Sequence, residues 1–410
     1  MNSFFAIFGK TPAISTAEIF VCLNQKNIQP HISRVAAVGM IGKTEGALTN
    51  SFWDMLGGIV KAGEILFELK GSASFDEVLA VLKEDAIIRS GREFGISLYC
   101  LDNKSEAKAL SFKTLGARLK KLLVEEGKSA RHVTSKDATL SAVTVSRNKL
   151  LTTGVEYCIF IDAGMIAVGK TTWVQPYEEY AEREFSRPGA NSRSGMVPVK
   201  LARMLINLTG VSHDATFLDP FCGSGTILSE ALSLGFTNVI GTDISERAIE
   251  ESKKNVAWTL KHLQKDFPVR VEMHDVKHLA DVVKTGSVDA IATEPYLGPP
   301  LKGGERPETI ERIRKELLDL YEGAFQAFEK ILTPGASVVI LFPYFEKTNL
   351  RLADIFIQRL NKHDFKIEYL LPERYAHTPG FVLTREGGLI YKRPGQHIGR
   401  EILCFRKQKT

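Results

Sequence analysis

Along the first seventy residues, apolar positions fall in short runs separated by polar turns. Phe4 to Phe8 reads as a strand, Ala13 to Leu23 carries a helical spacing, and Ile32 to Val38 reads as another strand. A helix from Ser51 to Leu56 is expected to continue past a Gly pair towards Gly63. Alternation on this scale predicts a small α+β domain. A second block covers roughly 72–172. It predicts a helix at Phe75 to Leu82, a strand at Phe94 to Cys100 and a helix at Ser111 to Glu126. Further strands are expected near Ala142 to Val145 and Tyr157 to Ala163. The polar stretch WVQPYEEYAEREFSRPGANSRSG, 173–195, is rich in charge and turn formers and reads as a linker.

Beyond the linker the pattern becomes regular. Strands are expected at Thr216 to Asp219, Val239 to Asp243, Val269 to His274, Val288 to Ala292 and Ser337 to Phe342. Helices fit at Val199 to Leu208, Thr226 to Leu234, Glu246 to His262, Pro307 to Ile331 and Leu350 to Asn361. Gly388 to Lys392 and Glu401 to Arg406 read as a hairpin around RPGQHIG. The fold class is α/β, a doubly wound sheet with an antiparallel edge, preceded by α+β domains.

Composition narrows the class. The chain has 410 residues, 44% hydrophobic and 25% charged, enough for two or three domains. No apolar run reaches the ~18 residues of a membrane span. The N-terminus lacks a secretory pattern, so a cytoplasmic location is expected. The five cysteines have no CxxC spacing, which speaks against a zinc site or disulfide framework, and no metal is expected. Charge is concentrated. Between Lys104 and Lys149 there are eleven basic and four acidic residues, an excess of seven, whereas the whole chain carries only +5. Lys113, Lys120, Lys121, Lys128 and Arg131 are candidate RNA contacts. Few aromatics interleave with them, which favours phosphate or shape contact over base stacking. The bland alternative is a solvated helix face.

The chemistry gathers at strand ends. FLDPFCGSGT, 217–226, places a glycine-rich turn between strand and helix, where backbone amides approach a ligand closely. No lysine follows, so it is not a phosphate loop. The third glycine of a dinucleotide fingerprint is replaced by Leu228. The loop opens instead with Asp219, which would repel a pyrophosphate and suit a cationic amine or sulfonium. Asp243 ends the second strand, where an acid accepts from ribose hydroxyls. Asp275 ends the third and could accept the exocyclic amine of adenine. Three acids in register fit S-adenosylmethionine, with Phe221, Gly223, Gly225, Ile244 and Val276 beside them as candidate cofactor contacts. The competing reading is that each acid caps the helix after it. The fourth strand ends in Thr293-Glu294-Pro295-Tyr296. An exocyclic amine on a base is a poor nucleophile, because its lone pair is delocalised into the ring. A carboxylate and a carbonyl that accept its hydrogen bonds let the nitrogen pyramidalise, and an aromatic ring stacks the extruded base. Glu294, Pro295 and Tyr296 supply these parts.

On these residues the chain resembles the THUMP-containing tRNA guanosine-10 N2-methyltransferases of archaea and eukaryotes, over nearly its full length. FFAIFGKTPAISTAEI, SRPGANSRSGMVPVKLARMLINL, LDPFCGSGT and RPGQHIGRE carry the resemblance. It implies an N-terminal ferredoxin-like domain at 1–71, a THUMP-like RNA-binding domain at 72–172, a linker at 173–195 and a methyltransferase domain at 196–410. It implies tRNA as partner, and raises the small activator subunit of the eukaryotic relatives. One departure is visible. The family's fourth motif reads D-P-P-Y, whereas this chain has T-E-P-Y-L-G. Alignment on Tyr296 puts Thr293 at the acid position; alignment on Thr293 and Gly298 puts Glu294 there and is favoured, since only Glu294 gives a carboxylate. Two other readings stand beside tRNA guanine-N2 methylation. One is another exocyclic-amine methyltransferase, acting on ribosomal guanine or on adenine N6. The other is an RNA-binding protein with a degenerate catalytic domain.

Overall fold

The computed structural model describes residues 1–70, 74–85, 93–102, 105, 109, 111–189, 196–299, 305–345, 350–360, 363–392 and 398–409. The first half builds one eight-stranded sheet. Its strands are β1 (Asn2–Phe8), β2 (His31–Ala36), β3 (Gly39–Thr44), β4 (Ile59–Lys70), β5 (Phe94–Cys100), β6 (His132–Val133), β7 (Val155–Asp162) and β8 (Met165–Val174). They lie in the order β2-β3-β1-β4-β8-β7-β5-β6. Strand β1 is buried on both faces, and its two-residue period sorts its side chains. Phe4, Ala6 and Phe8 pack with Ile19, Phe20 and Trp53, while Phe5 and Ile7 pack with Phe160 and Ala167 on the other side. Each buried Phe or Ile among them contributes about 1.5–3 kcal/mol. The Phe5 ring lies over β4 and β8 because Gly63 and Gly169 carry no side chain. A Cβ on either would come within 2.7 Å of that ring.

Three sequence expectations are corrected here. The helix expected to run past the glycine pair stops at Asp54, and β4 begins at Ile59. The cause is long-range: the amides of Gly57 and Gly58 donate to the buried carboxylate of Glu18 at 2.8 and 2.9 Å, which fixes a turn that no local spacing reveals. The segment expected as a strand near Ala142 to Val145 is a helix, Ala142–Arg147, started by the Ser141 hydroxyl accepting from the Thr144 amide. The stretch read as a linker is structured over much of its length. Trp173 is buried in β8, and Tyr177–Phe185 is a helix. Its residues 190–195 lie outside the described residues, as do 393–397 of the expected RPGQHIG turn.

The second half is the doubly wound sheet. Its strands are β9 (Thr216–Asp219), β10 (Asn238–Asp243), β11 (Arg270–Met273), β12 (Val288–Thr293), β13 (Leu332–Phe345), β14 (Leu350–Arg351), β15 (Phe365–Glu368), β16 (Leu389–Tyr391) and β17 (Gly399–Lys407). The order is β11-β10-β9-β12-β13-β17-β15. The first five run parallel. Strand β17 is antiparallel and slots between β13 and β15, so the reversed strand is internal. Alternate residues feed two cores. Phe217, Ala290 and Val339 join the side that carries the helices Val199–Leu208 and Thr226–Leu234. Leu218, Ile291 and Val338 join the side of Pro307–Ile331 and Leu352–Leu360. No helix among the described residues is long and apolar enough to cross a membrane.

The halves share a core and a polar joint. Ala13, Ile14 and Ala17 of the first helix pack with Leu201, Ala202 and Leu205. Asn207 Nδ2 donates to Glu18 Oε1 at 2.7 Å and to the Met55 carbonyl at 2.8 Å. Arg203 donates to the Asp54 carbonyl and to Glu230, both at 2.8 Å. Burial pushes the Glu18 carboxyl up to about 7, against the pull of the Gly57 amide, Asn207, the Gly58 amide and Arg203. A folded-state pKa above the unfolded value stabilises the fold below the unfolded value, and that stability is lost as pH rises. Thermal melts are therefore expected to show a midpoint that falls between about pH 4.5 and 7, with a flatter profile for Glu18→Gln. An unchanged slope in the variant contradicts this role.

Candidate active site

Strand β9 delivers Asp219, 1% exposed, into a turn that ends at the helix Thr226–Leu234. Gly223 and Gly225 take positive φ, 50° and 77°, where a side chain is strained. At Gly225 a Cβ would also meet Ser252 Oγ at 2.5 Å, whereas at Gly223 it would meet nothing within 4 Å. Gly223 therefore presents backbone to open space. The turn is stitched down on its other sides. Cys222 N donates to the Thr242 carbonyl at 2.9 Å, and Asn255 Nδ2 donates to the Ser224 carbonyl at 2.7 Å.

The acids at the strand ends differ in environment. Thr293 Oγ1 donates to Asp219 Oδ1 at 2.6 Å and the Phe221 amide donates to it at 3.2 Å. Burial lifts the Asp219 carboxyl to about 7, and the charges of Asp243 and Glu294 push the same way. Asp243 of β10 and Glu294 at the end of β12 thus lie within electrostatic reach of Asp219. Asp243 accepts from the amides of Gly223 and Ser245, both at 2.9 Å. Asp275 is half-buried and accepts from the Lys277 amide at 3.0 Å, as the cap of a 3₁₀ turn. That is the capping alternative realised, and Asp275 is not among the charges that perturb Asp219. Ile244 is 73% exposed, whereas Val276 is buried in the core with Leu218 and Ile291. Phe221 packs against that same core.

At the end of β12, Glu294 forms an ion pair with Arg400 of β17, the two side chains being 11% and 9% exposed. Pro295 is buried. Tyr296 is 57% exposed, and its carbonyl accepts from the buried Tyr321 hydroxyl at 2.7 Å. Gly298 closes the turn at φ 94°. Sequence reasoning missed Arg400 and Tyr321. The available signal for Arg400 was an arginine at the start of an apolar strand, and 106 residues separate it from Glu294.

The basic candidates lie elsewhere, on and around the helix Leu115–Glu125. Leu115, Leu119 and Leu123 bury one face against Val78, Leu82 and Phe94, which leaves Lys113, Lys120 and Lys121 exposed. Part of the charge is internally compensated. Lys121 pairs with Glu125, Lys128 with Glu126 and Arg131 with Glu93. Lys113 and Lys120 make no ion pair among the described residues.

Residues 190–352 match the family UPF0020, described as an RMKL-like methyltransferase domain. The chain is 36% identical over 140 residues to the tRNA (guanine(10)-N2)-dimethyltransferase of Methanothermobacter thermautotrophicus, covering 34% of this chain and 36% of that protein. The protein of the same name from Methanocaldococcus jannaschii is 34% identical over 139 residues, covering 33% of this chain and 37% of that protein. The chain thus spans about a third of the length of these curated relatives. Among solved structures, TrmN from Thermus thermophilus aligns with a TM-score of 0.55 at 17% identity, covering 99% of this chain and 100% of that one. The likeness runs through both sheets and places the second one in the Rossmann-like methyltransferase fold.

The Glu294–Arg400 pair carries a stability expectation of its own. Removing one member of a buried pair leaves an uncompensated charge. Arg400→Met is expected to lower the free energy of unfolding in urea by about 3 kcal/mol, with part of the loss recovered when Glu294→Gln is added. A single variant as stable as the parent contradicts the pairing.

Proposed function

We propose that this chain is a methyltransferase that moves a methyl group from S-adenosylmethionine to the exocyclic N2 amine of a guanine in tRNA. Guanosine 10, the position in the archaeal relatives' name, is the first candidate. The observation that carries the reading is the convergence of Asp219, Asp243 and Glu294 around a glycine turn open at Gly223. The residues fit the cofactor. The field of three acids disfavours phosphates and suits a sulfonium and an ammonium. Asp243 keeps lone pairs beyond its two amide contacts, enough to accept from ribose hydroxyls. Asp275, Ile244 and Val276 border the adenine end in this reading. When bound, the cofactor supplies a methyl group made electrophilic by its positive sulfur.

The chain's own residues prepare the acceptor. Glu294 accepts a hydrogen bond from the amine, the Pro295 carbonyl accepts a second, and the nitrogen lone pair is released from the ring. The carboxylate then takes the proton that the methylated amine gives up. Arg400 fixes the direction of the Glu294 carboxylate. Tyr321 anchors the turn through the Tyr296 carbonyl, and the exposed Tyr296 ring offers a stacking face for an extruded base. Thr293 is a positioning residue, tied to Asp219 at the floor of the site. Residues 72–172 act as the THUMP-like RNA-binding part, with Lys113, Lys120, Lys121, Lys128 and Arg131 towards phosphates.

Three measurements test this reading. Wild-type protein incubated with total tRNA and labelled cofactor, followed by nucleoside analysis, is expected to yield N2-methylated guanosine. Glu294→Ala is expected to slow methyl transfer at saturating cofactor by at least about a hundredfold, a loss larger than any weakening of cofactor binding that removing one of the three acids brings. Normal methylation by Glu294→Ala sinks the assignment, and methylated adenosine as product moves the substrate to N6. The double variant Lys113→Glu, Lys120→Glu is expected to weaken tRNA binding about tenfold or more and to reduce the salt slope by about two. An unaltered slope removes these lysines from the interface.

A further inference from the structure

The helix Glu246–Leu263 buries polar side chains where a packing stripe would be apolar. Ser252, Asn255 and Thr259 are all buried on it, at the spacing that puts side chains on one face. Thr259 turns back on its own helix and donates to the Asn255 carbonyl at 2.9 Å. Ser252 lies beneath the glycine turn, where a Cβ at Gly225 would meet its Oγ at 2.5 Å. Asn255 is 0% exposed, and both ends of its amide bond backbone outside its own helix. Nδ2 donates to the Ser224 carbonyl at 2.7 Å, and Oδ1 accepts from the Gly189 amide at 2.8 Å. A buried amide satisfied in this way specifies one arrangement of the segments it joins.

The glycine turn needs such a restraint. Ser224 lies between Gly223 and Gly225, both at positive φ, and glycines rotate at little steric cost. A Ser224 carbonyl without a donor would be a buried acceptor left unpaired, and a reoriented turn would relieve it. Asn255 supplies the donor. The same helix holds the turn at a second point. Asp243 accepts from the Gly223 amide and from the amide of Ser245, the cap of this helix. The helix therefore grips the turn at its start and midway along. Gly189 approaches Asn255 from the other direction. It follows the helix Tyr177–Phe185, whose Tyr180 hydroxyl donates to the Leu56 carbonyl of the first half. A Cβ at Gly189 would lie 3.0 Å from Asn255 Nδ2 and 3.1 Å from the Glu251 carbonyl. The Asn255 amide is thus clamped between the chain near Gly189 and the turn that opens at Gly223.

We propose that Asn255 is a positioning residue for the cofactor: it holds the Ser224 carbonyl back and so keeps the glycine turn in the form that S-adenosylmethionine meets. Asn255 acts through the turn and reaches no ligand itself. The assignment rests on the reading above that this domain binds S-adenosylmethionine.

Calorimetric titration of the full chain with S-adenosylmethionine tests it without any turnover, at a temperature well below every melting midpoint. Asn255→Leu keeps the volume and removes both hydrogen bonds, and it is expected to weaken cofactor binding by at least about tenfold. Asn255→Gln, which keeps the amide on a longer arm, is expected to fall between it and the parent. Phe160→Leu, in the core of the first half, is the control for stability. It is expected to melt earlier yet bind the cofactor as the parent does. Gly189→Ala is the second, milder probe. Its Cβ presses on the Asn255 amide, so it is expected to weaken binding about threefold in the parent and to add no further loss to Asn255→Ala, a failure of additivity that marks coupled residues. Parent-like affinity in Asn255→Leu overturns the proposal, as do additive losses for Gly189→Ala. An equal loss in Phe160→Leu would trace the effect to general instability and overturn it too. If the parent itself binds no cofactor, the reading of the domain fails and the assignment falls with it.

Discussion

Like charges gathered in a poorly solvated place constrain everything around them. Asp219, Asp243 and Glu294 come from three different strand ends, and their mutual repulsion is part of what lifts Asp219 to about 7. Each is held by its own donors: a threonine hydroxyl and an amide for Asp219, two amides for Asp243, an arginine for Glu294. These contacts fix direction without cancelling the field. In the proposed reading, acids held in this way meet a cationic ligand without having to reorganise when the ligand arrives, and they select by sign before any shape is considered.

The joint between the two halves uses the same device. Glu18 is a buried carboxylate that two backbone amides and an asparagine satisfy. Here the acid gathers chain segments instead of a ligand, tying the first helix, the Gly57–Gly58 turn and the helix Val199–Leu208 together. Tyr180 extends the joint. Its hydroxyl donates to the Leu56 carbonyl at 3.2 Å, and Arg183, Lys200 and Arg203 lie over its ring. The basic helix Leu115–Glu125 and the carboxylate cluster are therefore parts of one connected framework, linked through β8 and this joint.

The second half was legible in the sequence because its patterns are local and strong. Thr216–Asp219, Thr226–Leu234 and Pro307–Ile331 were readable to the residue, since each is bounded by a turn former or a cap and fills a core on a clear period. What sequence missed depended on distant partners. Strand β4 was hidden behind a glycine pair whose conformation is set by Glu18, far away in the chain. The helix Tyr177–Phe185 buries only Tyr180 and docks through cations, so it shows little apolar stripe. In the site, the acids were visible as strand-end residues, whereas Arg400 and Tyr321 come from elements whose neighbours only the fold reveals. Asp275 had two local readings, and its side chain makes the helix cap of one of them.

The pairing of β4 with β8 has a consequence for the first half of the chain. That antiparallel ladder runs from Lys61 opposite Val174 to Lys70 opposite Met165, so the opening seventy residues and the block after them are woven into one sheet. A fragment cut between them would present a long row of bare amides and carbonyls on each piece, and such rims stick to one another. The two blocks are therefore inseparable in practice: grafting either onto another catalytic domain requires carrying its neighbour along.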